Sequence, residues 1–152
     1  MANSNRKRIL DNIASTLAAV TTGGGYNFTI GEAKRGLKAF DSVPADKFPV
    51  CYVAGADEVR TNVTNTQFRS DLRVSVVGYV KAANAADDEA LEQRLDNLIE
   101  DITKALMVDI TRGGYATLTE IVEVDTDKGA WQPFAGVEMV VRCQYRASVS
   151  AP

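Results

Sequence analysis

Apolar and polar residues alternate along residues 68–81 and again along residues 137–149, and these two stretches constrain the fold most strongly. One face of the first stretch carries Leu72, Val74, Val76 and Val80. The inward face of the second carries Val137, Met139, Val141, Cys143, Tyr145 and Val149, and its outward face Glu138, Arg142, Gln144 and Arg146. A period of two with one polar face predicts long strands of a sheet that packs on a core on one side only.

Two amphipathic segments predict the helices. Residues 4–20 place apolar side chains three and four positions apart, and Asn3 or Ser4 can cap the helix. The glycines at 23–25 then end it, since glycine tolerates the backbone conformation of a helix end. A second, stronger helix is predicted from residue 87 to about residue 108. Its apolar stripe consists of Leu91, Leu95, Leu98, Ile99, Ile102 and Leu106.

Shorter patterns predict the remaining elements. Residues 26–30 alternate as a strand that residues 37–40 could continue, and residues 50–54 are apolar enough for a central strand covered on both faces. The polar residues 56–67 predict a long loop between two strands. In residues 117–127 the alternation slips between Ile121 and Val122, which predicts a β-bulge in a strand antiparallel to the last one.

The order of these elements is helix, two or three strands, helix, two strands. It predicts an α+β fold: a mainly antiparallel sheet of four to five strands, with two main helices packed on one face. The 152 residues fit one domain, and we expect a single domain over residues 1–152.

Charge and cysteine usage narrow the functional classes. The net charge of −3 argues against a dedicated nucleic-acid-binding module, which usually carries a basic excess. Cys51 and Cys143 are far apart and lie in apolar strand patterns, which favours two buried thiols in a reducing compartment. No stretch of about eighteen apolar residues exists, so we expect no membrane association.

The chain contains no histidine, the commonest general base and metal ligand near neutral pH. Its glycine-rich turns follow helices and lack the lysine and hydroxyl residues of a phosphate-binding loop. We therefore expect no catalytic site, no metal site and no cofactor.

Charged residues mark the candidate interaction surfaces instead. Glu123, Asp125 and Asp127 share one face of a predicted strand. Mutual repulsion requires that face to be solvated, to bind a cation weakly, to line a lumen or to meet a basic partner. Arg142 and Arg146 point outward on the last predicted strand.

A basic segment lies in the first turn of the first helix, where the helix dipole is already positive. It is either a solvated arm or a contact for an acidic partner surface or for DNA phosphate. The segment consists of Arg6, Lys7 and Arg8.

Several stretches together resemble the tail terminator family of long-tailed bacteriophages, which includes the lambda tail protein U group. They are the opening amphipathic helix, residues 46–53 (Asp-Lys-Phe-Pro-Val-Cys-Tyr-Val), residues 71–76 (Asp-Leu-Arg-Val-Ser-Val) leading to the 91–106 helix, and residues 137–141 (Val-Glu-Met-Val-Val). The resemblance covers about residues 6–149.

The resemblance implies a structural virion protein without catalytic residues. Copies of such a chain form a hexameric ring at the head-proximal end of the tail tube, stop tube growth and present a surface to a head completion or connector protein. Genomic DNA passes through without specific binding, and the ring is assembled in the host cytoplasm. A lumen lined by Glu123, Asp125 and Asp127 would repel that DNA.

Two other functions fit the sequence. A head–tail joining protein would have a similar fold but would bind the portal side of the neck. A small enzyme or ligand-binding module would need a concave pocket with convergent polar groups.

Overall fold

The computed structural model describes residues 4–82 and 88–152. Those residues form one five-stranded sheet in the order β1-β2-β3-β5-β4, in which only β1 and β2 are parallel. Both helices pack on one face of this sheet, so the predicted α+β fold is confirmed. The elements are α1 (Asn5–Ala18), β1 (Glu32–Arg35), β2 (Val50–Asn62), β3 (Gln67–Lys81), α2 (Asp88–Val108), β4 (Leu118–Thr126) and β5 (Phe134–Ser148).

The core lies between the helices and the sheet face that they cover, which we call the inner face. The alternation predicted for β3 and β5 is confirmed, because every second side chain of each strand is buried against α1 and α2. At Gly78 the helix comes so close that an added Cβ would lie 2.9 Å from Leu98 Cδ2. Val149, predicted to point inward, lies beyond the end of β5 and is exposed.

Helix α1 begins as predicted at Ser4, whose hydroxyl accepts a hydrogen bond from the Lys7 N–H at 3.2 Å. This bond satisfies one of the free N–H groups of the first turn. The helix ends at Ala18, and Val20 remains buried beyond it.

Residues 26–30 do not form the predicted strand. Instead, the backbone N–H groups of Asn27 and Phe28 each donate to the Asp101 carboxylate of α2, both at 2.9 Å. The segment is therefore held to a helix, and β1 forms later, at Glu32–Arg35. Residues 37–40 likewise do not continue a strand, because the chain enters a 3-10 turn, Phe40–Ser42.

The loop predicted for residues 56–67 is a β-hairpin. Its first strand is the polar half of β2, which continues to Asn62 after a register shift between Gly55 and Glu58. The connection to β3 spans only residues 63–66. Because most side chains of this half of β2 are solvent-exposed, no apolar alternation marks it as a strand. We call residues 56–69 the hairpin arm.

Strand β4 contains the predicted bulge, seen as a register shift against β5 between Ile121 and Glu123. The predicted apolar strand at residues 50–54 is also confirmed, because Val50, Cys51, Tyr52 and Val53 are fully buried. Strands β1 and β4 have a neighbour on one side only, which leaves both lateral edges of the sheet unpaired among the described residues.

Candidate assembly interface

The sheet face opposite the helices, here the outer face, carries most of the charged residues of β3, β4 and β5. One end of it is covered by residues 37–49 and by the β4–β5 turn, and an aromatic cluster fills the space beneath. The other end is open to solvent. This division makes the outer face the first candidate for contact with another protein.

Aromatic side chains from four separate segments meet at the covered end. Trp131 stacks on Phe40 at 5.0 Å between ring centroids, and Tyr79 donates a hydrogen bond to the Lys38 carbonyl at 2.8 Å. Trp131 lies directly over Gly136, where an added Cβ would be 2.4 Å from Trp131 Cζ3. The cluster consists of Phe40, Phe48, Tyr52, Tyr79, Trp131 and Phe134.

Four arginines lie on the open end as two pairs, each directly opposite across β3 and β5. Like charges at opposite positions of an antiparallel ladder are destabilising. The repulsion between Arg73 and Arg142 is compensated, since Arg142 lies 2.9 Å from Glu120 and Arg73 lies 3.9 Å from Glu123. Within the described residues, no such ion pair involves Arg69 or Arg146. We call the four the arginine patch: Arg69, Arg73, Arg142 and Arg146.

An acidic patch lies toward the covered end and consists of Glu123, Asp125 and Glu138. Asp125 on β4 is directly opposite Glu138 on β5, which repeats the like-charge arrangement with the other sign. Glu138 accepts a hydrogen bond from the Ser75 hydroxyl at 2.9 Å. The patch borders a groove of about 290 Å³ whose other walls include Tyr79 and Trp131.

Asp127 differs from the two carboxylates with which the sequence grouped it. It lies beyond the end of β4, and its carboxylate accepts the backbone N–H groups of Trp131 at 3.1 Å and of Gly136 at 3.3 Å. Asp127 nevertheless lines the same groove as Asp125, so its carboxylate stays on the side that the sequence predicted while it also holds the β4–β5 turn.

The basic segment forms the first turn of α1, and its two arginine side chains make contacts inside the subunit. Arg6 donates to the Ala56 carbonyl at 3.4 Å and lies 3.9 Å from the Glu58 carboxylate. The Arg8 guanidinium lies over the Tyr115 ring, 4.9 Å from its centroid. Lys7 is exposed. These contacts tie the start of α1 to β2 and to the turn before β4.

Glu58, which the sequence did not single out, anchors the hairpin arm to the body of the sheet. Its carboxylate accepts a hydrogen bond from the Tyr145 hydroxyl, and Arg60 Nε donates to it at 3.0 Å. Burial raises the pKa of Glu58, but the Tyr145 bond and the Arg60 charge outweigh burial and lower it overall. A charged Glu58 therefore holds the arm at neutral pH.

Arg112, another residue that the sequence did not single out, is fully buried beneath the C-terminal end of α2. Its guanidinium donates to the carbonyl groups of Leu106, in the last turn of the helix, and of Asp109, just beyond the helix. Arg112 has a φ of 50°, in the left-handed region, and lies in one turn with Gly113 and Gly114, which also have positive φ values.

An open cleft of about 570 Å³ lies between α2 and the β4–β5 turn and is lined in part by Glu92, Asp96 and Lys128. In residues 4–82 and 88–152, no three His, Cys, Asp or Glu side chains are grouped in a way that could hold a metal ion. Both thiols are buried, and burial raises the pKa of Cys51 to about 12. None of the helices in those residues combines the length and apolar character that crossing a bilayer requires.

A family model described as "Bacteriophage Tail Tube Terminator Protein" matches residues 3–151, nearly the whole chain. No curated protein matches.

Proposed function

The chain belongs to the bacteriophage tail tube terminator family, and we propose that its copies form a ring at the head-proximal end of the tail tube. There the ring stops polymerisation of the tube and offers the surface to which the head attaches. Family membership itself fits a structural role in the virion tail, in contact with the tail tube.

The main support for a ring is that the described sheet has two unpaired edges. Strands β1 and β4 lie on opposite sides of the sheet, and each presents unpaired backbone N–H and C=O groups on its free side. On β4, Val122 and Val124 are about half exposed, at 47% and 46%. A contact that joins one edge of a subunit to the other edge of its neighbour is head-to-tail, and it closes into a ring when the rotation allows.

The hairpin arm supports contact beyond the ring. It carries Val59, which is 64% exposed, and Val63, which is 46% exposed, on an otherwise polar surface. The Tyr145 hydroxyl of β5 donates a hydrogen bond to Glu58 at the base of the arm, and this bond fixes the direction of the arm relative to the sheet. We propose that it reaches a neighbouring subunit or the last layer of tube subunits.

The net charge of the protein is compatible with the passage of DNA through the proposed ring. The net charge of −3 disfavours tight binding of phosphate, and an acidic lumen would limit sticking further. Among the residues expected to face the lumen, Glu123 and Asp125 are exposed, whereas Asp127 is engaged in the turn.

Mass measurement by light scattering, with and without magnesium and over a range of concentrations, tests ring formation. It is followed by electron microscopy of the same samples. We expect a closed oligomer, free or seated on tail tubes. A chain that stays monomeric at every concentration, even beside tubes, would contradict the proposal. Binding to the portal side of the neck without any binding to tubes would instead identify a head–tail joining protein.

A further inference from the structure

We propose that the outer faces of two copies of this chain pair, with the acidic groove of one copy receiving Arg69 and Arg146 of the other. This contact goes beyond the proposed ring, because it uses the outer face of the sheet and not its lateral edges. In this arrangement Asp125 faces the second copy, and Glu123, which does not line the groove, is the carboxylate left to face a lumen.

The groove suits a guanidinium group. Its carboxylates belong to Asp125, Asp127 and Glu138, and its aromatic walls belong to Tyr79 and Trp131. Asp127 accepts two backbone N–H groups, whereas no ion pair neutralises Asp125 or Glu138 among the described residues. An arginine between a carboxylate pair and aromatic faces gains charge-assisted hydrogen bonds and a cation–π contact. It also relieves the repulsion between the two carboxylates.

The complementary group is present in the same chain. Arg69 and Arg146 are exposed, directly opposite each other and without an ion pair in the part of the chain that the structure describes. The two other arginines of the patch already have Glu120 and Glu123. The Arg69–Arg146 pair and the Asp125–Glu138 pair are therefore each available to a partner that carries two charges of the opposite sign. A second copy of the chain carries both pairs.

The placement of the two groups determines the symmetry of the contact. Both lie on the outer face, and positions 138 and 146 of β5 are separated by about 26 Å, at about 3.3 Å per residue. Two outer faces related by a twofold axis, with their strands antiparallel, bring each arginine pair onto the other copy's groove. Such an isologous contact satisfies both sites at once.

Charge reversal of each site, followed by mixing, tests the pairing. One variant carries Asp125→Lys and Glu138→Lys, and the other carries Arg69→Glu and Arg146→Glu. Sedimentation velocity of the purified full-length chain is measured at low and high salt. We expect wild-type particles of about twice the mass of those formed by either variant, and a dissociation constant for pairing raised by about tenfold or more in each variant.

An equimolar mixture of the two variants restores the larger species, because each offers what the other lacks. A control with Asp96→Lys and Glu100→Lys makes the same change in charge as the variant with Asp125→Lys and Glu138→Lys, but on the exposed side of α2, and leaves pairing intact. Variants that pair like the wild type, or a mixture that stays at the lower mass, would overturn the contact. The single changes Glu138→Lys and Arg146→Glu, tested with tail tubes, examine ring formation separately, because β5 is neither an edge strand nor part of the hairpin arm.

Discussion

Arg69 on β3 lies directly opposite Arg146 on β5, at the open end of the outer sheet face. A like-charge pair of this kind costs about 0.2–1 kcal/mol compared with neutral residues. The chain repeats the arrangement with the opposite sign at Asp125 and Glu138. Both costs disappear when a partner supplies the missing charge, so these two sites on the outer face are suited to contact with another molecule.

Charge reversal distinguishes two neighbouring carboxylates. Asp125→Lys replaces an exposed side chain and removes its repulsion with Glu138, so we expect a change within about 0.5 kcal/mol. Asp127→Lys removes the acceptor for the N–H groups of Trp131 and Gly136 and lowers the free energy of unfolding by about 1–3 kcal/mol. Urea denaturation at high salt, where pairing of copies is suppressed, measures both. Equal losses would mean that the two side chains play the same role.

Removal of the Asp101 carboxylate tests how residues 27–28 are held. Asp101 is buried, at 1% exposure, and Asp101→Ala leaves the N–H groups of Asn27 and Phe28 without an acceptor. We expect a loss of about 2–4 kcal/mol in the free energy of unfolding. Asp96→Ala, at an exposed position of the same helix, is the matched control. A loss in the control as large as that in Asp101→Ala would exclude this explanation.

Glu32 links stability to acidic pH. Hydrogen bonds from Lys34 and from Tyr52 lower the pKa of Glu32 from 4.5 to about 2. Because the pKa of Glu32 is lower in the folded state, ionised Glu32 stabilises the folded protein. This stabilisation is fully present above about pH 4.5 and is lost as the pH falls toward about 2. Glu32→Gln should therefore be less stable than the wild type at neutral pH, and the difference should shrink over that window. Denaturation at a series of pH values, with Glu100→Gln as control, shows whether the two curves converge.

Trp131 is the single tryptophan of the chain, so its fluorescence reports on the groove. In Gly136→Ala the new Cβ would lie 2.4 Å from Trp131 Cζ3, and the indole must move. We expect red-shifted emission and a loss of about 1–3 kcal/mol. Gly23→Ala, where an added Cβ meets no atom within 4 Å, should leave emission unchanged. Unchanged emission in both variants would mean that Trp131 does not lie over Gly136.

The sequence predicted those elements whose side chains alternate between core and solvent. Strands β3 and β5, both helices and the bulge of β4 follow from the positions of apolar residues. The polar half of β2 was not predicted as a strand, because most of its side chains are solvent-exposed and no apolar alternation marks it. It is a strand because its backbone pairs with β3. Residues 26–30 were misassigned because Tyr26, Phe28 and Ile30 do pack against the core. The backbone of this segment, however, donates to the Asp101 carboxylate of α2 and not to a strand.

The candidate interface could be predicted only in part. The charged residues were visible in the sequence, but the pairing of Arg69 with Arg146 depends on the register between β3 and β5. The groove combines segments far apart in the chain, among them those of Tyr79 and Trp131. Asp127 looked like a continuation of the strand pattern because nothing in that pattern shows that the chain turns at this position.

Growth of tail tubes in the presence of the chain tests the central claim most directly. Purified tail tube protein is polymerised with and without the chain, and electron microscopy records the tube lengths and the tube ends. We expect the chain to appear as a ring at one end of each tube and elongation at that end to stop. Tubes that continue to lengthen at both ends in an excess of folded chain, without a ring at either end, would contradict the account.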